Sequence, residues 1–170
     1  MLIQKNDIKL RALESNDLDW LYTIENDTRF WEISNTIQPF SKELLANYIA
    51  NAHLDIFSIK QLRLVIIYKK EPVGLIDLFD FDPIHHRAGL GILITPEYQS
   101  KGIASTAIEI VIEYAKSNLQ LHQLYANITI DNTRSIKLFQ KLGFIITGTK
   151  KDWIYTKNQY KDEHILQLLF

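Results

Sequence analysis

Residues 94–115 read ITPEYQSKGIASTAIEIVIEYA. An apolar strand ends at Thr95-Pro96, a polar loop carries one glycine, Gly102, and an amphipathic pattern follows. A helix N-terminus leaves backbone N–H groups unpaired and carries roughly half a positive charge, so it favours anions, phosphate above all. The backbone reaches a pyrophosphate only where side chains are small. Gly102 and Ala104 meet that need, and Gln99, Ser100 and Lys101 add donors. The loop lacks the Gly-Lys-Ser/Thr ending of a P-loop and the three glycines of a dinucleotide fingerprint. The same residues also suit a polar strand-to-helix turn that merely tolerates glycine. His85 and His86 invite a metal reading. Adjacent strand residues point apart, however, and no carboxylate–histidine pattern surrounds them. Both are read as turn residues of "DPIHHR", and no metal is expected.

The elements that must position this loop follow from periodicity. "DIKLRAL" (7–13) alternates apolar and polar and predicts a strand. "SNDLDWLYTIEND" (15–27) begins with capping residues and spaces Leu18, Leu21, Tyr22 and Glu25 helically. "TRFWEISNTIQPF" (28–40) reads as an irregular, aromatic-rich connection, after which Ser41 caps a second helix, "KELLANYIANAHL". "LRLVIIYKKEPVGLIDLFDF" (62–81) reads as a hairpin around a Lys-Glu-Pro turn, and "RAGLGILIT" (87–95) as a further strand. Residues 101–118 place Ile103, Ala107, Ile110, Val111 and Tyr114 on one helical stripe. A strand (123–130), a capped helix ending at a glycine (132–143) and two closing strands complete the chain. The order β-α-α-β-β-β-α-β-α-β-β predicts one α+β (α/β) domain. Its sheet is mixed and mostly antiparallel, with about six or seven strands and about four flanking helices.

The 170 residues suffice for one domain with a real core. Of these, 46% are apolar and the net charge is -1, which argues against nucleic-acid binding through a broad basic face. Cysteine is absent, which excludes disulfides, thiolate catalysis and cysteine metal sites. "MLIQKNDIKL" has no apolar signal region, and no apolar run approaches the ~18 residues of a membrane helix. A cytoplasmic protein without membrane contact is expected.

"Q-S-K-G-I-A" after "LGILI" resembles the Gln/Arg-x-x-Gly-x-Gly/Ala signature of the GNAT superfamily of N-acetyltransferases. "NTRSIKLFQKLGF" (132–144) resembles that family's Asn-x-x-Ala/Ser…Lys-x-Gly-Phe segment. Both occur in the right order, across a strand–helix–strand–helix pattern. The resemblance spans residues 7–170, is weakest over 14–60, and implies a single GNAT domain over 1–170. Within the superfamily the chain is similar to the branch of ribosomal-protein N-terminal acetyltransferases and bacterial spermidine/diamine acetyltransferases. Residues 73–105 carry the likeness to the spermidine/diamine enzymes. "TKNQYKD" (156–162) resembles the branch's Asn-Gly-x-Tyr-x-Asp hairpin, with Gln159 in place of its glycine.

The resemblance implies acetyl-coenzyme A as co-substrate. Backbone groups of Ile92, Leu93 and Ile94 would hold the pantetheine and polarise the thioester carbonyl. Gln99, Ser100, Lys101, Gly102, Ile103, Ala104 and Ser105 would hold the pyrophosphate. Asn132, Ser135 and Lys137 would contact the coenzyme from the last helix, although Asn132 also suits an ordinary N-cap. The implied reaction is direct acetyl transfer to a primary amine in a ternary complex, since no cysteine can carry the acetyl group. An alkyl amine of pKa ~10.4 must lose a proton first, at roughly 4–5 kcal/mol at pH 7. Asp77 is the expected carboxylate for that task; Asp80, three residues on, falls on the opposite face of a regular strand unless a bulge intervenes. The family's tyrosine, seven residues after the motif asparagine, is Phe139 here and has no proton to give. Ser135 matches a serine of the ribosomal-protein branch and is a candidate for the sulfur; Tyr98, Tyr125 and Tyr155 are further hydroxyls.

The acceptor is expected beside residues 14–60. There Glu25, Asp27, Glu32 and Glu43 could draw a cation, and Phe30, Trp31 and Phe40 could wall it. The stretch 34–40 lacks the acidic residues that spermidine enzymes carry there. A small-molecule polyamine or diamine, a protein N-terminus and an aminoglycoside-like amine all remain open as acceptors. So does a coenzyme-binding module without catalysis, and a homo-oligomer is among the expectations.

Overall fold

A computed structural model describes residues 3–52 and 54–170. Asn6 takes a left-handed turn (φ 53°), so the predicted first strand is preceded by another. β1 (Ile3–Lys5) and β2 (Ile8–Ala12) form a tight hairpin. A single 3-10 turn, Ser15–Asp17, leads into α1 (Leu18–Glu25). The stretch expected to be irregular contains α2 (Thr28–Ser34), whose N-terminus Asp27 caps by accepting from the Arg29 amide at 3.0 Å. Ser41 caps α3 (Lys42–Ala50) as expected, accepting from the Leu44 amide at 3.1 Å. The short α4 (Ile56–Ile59) follows. Next come β3 (Leu62–Tyr68), β4 (Glu71–Asp82), β5 (Arg87–Ile94), α5 (Ile103–Ser117) and β6 (Gln123–Thr129). The chain closes with α6 (Thr133–Lys141), β7 (Ile145–Thr156) and β8 (Gln159–Leu169).

Eight strands make one sheet in the order β1-β2-β3-β4-β5-β6-β8-β7, one more than the largest number expected. The described residues hold six α-helices rather than about four, because α2 and α4, with 7 and 4 residues, are too short to register a clear period. Every strand pair is antiparallel except β5–β6, so the mixed, mostly antiparallel sheet is as predicted. Two turns differ in detail. The β3–β4 turn is Lys69-Lys70, both at positive φ, and Pro72 lies inside β4 beside a bulge. In the β7–β8 turn the left-handed residues are Lys157 and Asn158 (φ 48° and 61°), so Asn158, not Gln159, occupies the glycine-like position.

Strand alternation sorts the core into two layers. Leu64, Ile66, Ile76 and Leu90 face α5 and α6, packing on Ile103, Ala107, Ile110, Val111 and Phe139. Val65 and Leu75 face the other way, onto Leu21, Ile24, Phe30 and Leu45 of α1–α3. Tyr114, predicted on the α5 stripe, is half-buried at its margin, and Ile108 and Ala115 take core places instead. Each fully buried Leu or Ile contributes about 1.5–3 kcal/mol, so both layers matter to stability. The second layer stops short of β6, β7 and β8 and leaves that part of the sheet open to a ligand.

Candidate active site

β5 and β6 pair only through Arg87–Gln123, Ala88–Leu124 and Gly89–Tyr125. Beyond Gly89 the strands part, while β5 stays paired with β4 as far as Ile94. Gly89 is needed at this point, because a Cβ there would lie 2.2 Å from the Phe79 ring that crosses it. The parting leaves a cleft of about 570 Å³ through the sheet. Gly91 and Ile92 form one wall, Asn127 and Ile128 the other, and Asn132, Ser135 and Phe139 of α6 close one side. Glu32, Arg63, Asp77, Lys150, Trp153 and Glu163 line the opposite side. The cleft therefore has two chemically different mouths.

At the α6 mouth Asn132 does two jobs. Its Oδ1 accepts from the Ser135 amide at 3.3 Å as the N-cap of α6, and it lines the cleft. Ser135 lines the cleft one turn on. Phe139 is buried and stacks edge-on against Phe144 at 5.0 Å, so it serves packing. Lys137 is exposed on α6 and lies outside the cleft lining.

The loop after β5 opens α5. Gly102 is its N-cap at φ +77°, and no protein atom lies within 4 Å of where a Cβ would stand. Ser100 is also left-handed (φ 62°). Gln99 ties the loop down at both ends: its Nε2 donates to the Ile94 carbonyl at 2.8 Å, and its Oε1 accepts from Arg134 at 2.6 Å. Arg134 also reaches Ser100 Oγ at 3.3 Å. Lys101 lies over the Tyr98 ring at 4.9 Å. The Ile103 side chain is in the core, so only its backbone faces the loop. The free edge of β5, the open space at Gly102 and the α6 cap fit the extended arm and pyrophosphate of a coenzyme A thioester.

At the other mouth every nearby carboxylate has a cation. Arg63 donates to Asp77 through Nε (2.7 Å) and Nη2 (3.0 Å), and through Nη1 to Glu25 at 2.5 Å. Burial opposes its charge, but Asp77 and Glu25 outweigh that and push the guanidinium above its ordinary value. Glu32 binds Lys161 and accepts from Thr156 at 3.2 Å, which fastens α2 to the β7–β8 hairpin. Lys161 also meets Asp131 at 2.6 Å. Lys150 pairs with the buried Glu163 at 2.5 Å, donates to Asn127 at 3.3 Å and lies 4.6 Å from the Trp153 ring.

Of the other predicted acceptor-side groups, Asp27 is taken up by its cap and by Arg29, and Glu43 is exposed on α3. Phe30 and Phe40 belong to the second core layer, and Trp31 borders the adjoining groove. A bulge between Phe79 and Asp82 does turn Asp80 out of register, to φ 48°. It meets Tyr125 Oη at 3.3 Å beside a separate hollow, away from the cleft. Burial and Asp80 push Tyr125 up to about 12, so its hydroxyl stays protonated but is misplaced to serve the sulfur. Tyr98 packs on Tyr68, and Tyr155 on Tyr160. His85 and His86 lie in the β4–β5 turn, with the His86 ring 3.1 Å from the Gln120 carbonyl.

The family model described as Acetyltransferase (GNAT) domain matches residues 7–145. The chain belongs to this acetyltransferase family. Family membership makes it an acetyl-CoA-dependent N-acetyltransferase. It is 29% identical over 160 residues to the spermidine N(1)-acetyltransferase of Escherichia coli K12, covering 92% of this chain and 83% of that one. Among solved structures, a Vibrio cholerae spermidine N-acetyltransferase in complex with CoA and spermine superposes with a TM-score of 0.87 at 27% identity. That match covers 97% of this chain and 96% of the other. A dodecameric form of the Vibrio cholerae enzyme gives a TM-score of 0.81 at 28% identity, over 97% and 95% of the two chains.

Arg63, Lys150, Trp153 and Glu163 were not singled out in the sequence. Cross-strand pairing was the available signal, since Arg63 lies opposite Asp77 and Lys150 opposite Glu163. Bulges between each pair and its turn hide both from counting.

Proposed function

We propose that this chain acetylates a polyamine or diamine, with the coenzyme entering from the α6 mouth and the amine from the mouth lined by Asp77 and Glu163. The observation that carries the reading is the cleft itself, where a free strand edge meets a carboxylate-rich wall. An ammonium entering there exchanges water for carboxylates already held in place. Trp31 and Trp153 border a further groove of about 400 Å³ that shares Glu32 and Asn35 with the cleft, which suits a second, distal cation. The relatives named for spermidine acetylation support the same class.

On this reading Ile92, Leu93 and Ile94 hold the pantetheine through their backbone, and Gln99 to Ser105 hold the pyrophosphate. Asn132 and Ser135 contact the arm near the sulfur, and Lys137 offers a cation from α6. The bound thioester supplies the acetyl group, and the N–H groups of β5 stabilise the oxyanion. Asp77 is too heavily bonded to Arg63 to be a free base; it orients the guanidinium and keeps the wall net negative. The dodecameric relative supports self-association of this chain as well.

The test is release of free thiol from acetyl-CoA with spermidine, spermine, putrescine, an aminoglycoside and an N-terminal peptide. Turnover confined to the polyamines and diamines is expected. Turnover with the peptide or aminoglycoside alone would sink the polyamine reading.

A further inference from the structure

Arg63 occupies both oxygens of Asp77, so the cleft still needs a group to take the amine's proton. Three carboxylates line it: Glu32, Asp77 and Glu163. Both oxygens of Asp77 accept from Arg63, and both oxygens of Glu32 are held, by Lys161 and Thr156. Glu163 differs. Only its Oε1 is paired, with Lys150, and no hydrogen bond reaches its Oε2 among the described residues. It is also the most deeply buried of the three, on a central position of β8 between Thr129 of β6 and Lys150 of β7. No sealed side-chain oxygen among the described residues lacks a partner, so Oε2 opens onto the cleft, where an entering ammonium can donate to it.

We propose that Glu163 is the general base of the reaction and that Lys150 is its positioning residue. The inference rests on the amine reading above. The acceptor enters as an ammonium. One N–H bond breaks and its proton forms an O–H bond at Glu163 Oε2. The freed lone pair forms the C–N bond at the thioester carbonyl. The C–S bond breaks, and sulfur leaves with its electron pair. The second nitrogen proton passes to that thiolate to give the free thiol, and Glu163 returns its own proton to solvent. Lys150, fixed by Asn127 and by the Trp153 face, holds Oε1 so that Oε2 is left for the amine. The groups around Glu163 are Lys150 on β7 and the uncharged Asn127 and Thr129 on β6. Glu32 of α2, with its Lys161, shares the cleft.

The experiment compares wild type with Glu163→Gln across pH 7 to 9.5, using the amine that the wild type turns over best. At pH 7 the variant is expected to lose about 100-fold or more in kcat/KM, within the usual range for a general base. The deficit should shrink as pH approaches the amine's own pKa, because neutral amine is then supplied by solvent. Acetyl-CoA affinity by calorimetry should be unchanged. The double variant Lys150→Gln/Glu163→Gln, which leaves no buried charge unpaired, should lose activity in the same pH-dependent way. A loss independent of pH, recovery in the double variant, or wild-type turnover in Glu163→Gln would overturn the base assignment and leave the acceptor reading intact. A wild type that acetylates no amine would overturn both.

Discussion

Gly102 shows how one residue can serve both conformation and access. Its φ of +77° costs a residue with a Cβ about 1–2 kcal/mol, and the space around it is open. A Cβ there would meet no protein atom beyond the local backbone, so a side chain would grow into the space that the loop offers a ligand. Gly102→Gln is therefore expected to leave the fold standing, with a Tm lower by a few degrees, while acetyl-CoA binding by calorimetry is lost. Unchanged affinity would remove the pyrophosphate assignment. Asn132 has a parallel double role that a pair of substitutions separates. Asn132→Asp keeps the N-cap of α6, whereas Asn132→Ala loses it at about 1 kcal/mol. If the side-chain amide itself holds the coenzyme arm, both variants raise the Kd for acetyl-CoA but only Asn132→Ala lowers thermal stability. Equal affinity in Asn132→Asp and wild type would reduce the residue to a cap.

Legibility was uneven between elements, for physical reasons. The loop at Gly102 and the capped α6 announce themselves locally, since their signals are turn chemistry and helix period within a dozen residues. The acceptor wall does not, because Arg63–Asp77 and Lys150–Glu163 are contacts across strands. Each lies on the far side of a bulge from its hairpin turn, so counting from the turn puts the wrong residues face to face. α2 is hidden by its length and its aromatic content, and β1 by the absence of any glycine at the left-handed Asn6. One inter-element contact also yields a pH prediction. Arg11 of β2 holds Asp17 at the entry to α1 with bonds of 2.6 and 2.8 Å. Burial raises the Asp17 carboxyl, but Arg11 and the Glu14 amide outweigh it and leave the group below its ordinary value. A depressed carboxyl contributes stability above the unfolded pKa of about 3.9, and that contribution is lost as pH falls through the lower folded value. Asp17→Asn is expected to lower stability at pH 7 by about 2 kcal/mol, and to differ less from wild type once acid has protonated Asp17. Denaturant melts at pH 7 and at pH 3 measure this; a gap that stays constant or widens in acid would remove Asp17 from the account.

At the scale of the whole molecule, the parted strands open one sheet from both sides, which on the proposed reading lets it serve two substrates. On that reading the coenzyme's side would be built from β5, α5 and α6, resting on the larger core layer, and the amine's side from α2, β4, β7 and β8. Neither substrate has to leave before the other can enter, and no cysteine is present to hold an acetyl group between them. A sequential mechanism follows from that geometry. Initial rates measured at several fixed concentrations of one substrate should give intersecting double-reciprocal lines. Protein incubated with acetyl-CoA alone should show no added acetyl mass after denaturation. Parallel lines together with an acetylated intermediate would mean that some side chain of the cleft carries the group, with Ser135 and Lys150 as the first to check. Intersecting lines without such an intermediate would mean that the cleft acts by holding thioester and amine in contact. On that outcome, catalysis depends on how rigidly the two sides of the parted sheet are kept in register, and α2's fastening to β7–β8 through Glu32 and Lys161 becomes part of the machinery. Glu32→Gln, which weakens that fastening without touching the coenzyme side, should then raise the KM for the amine several-fold and leave the KM for acetyl-CoA unmoved.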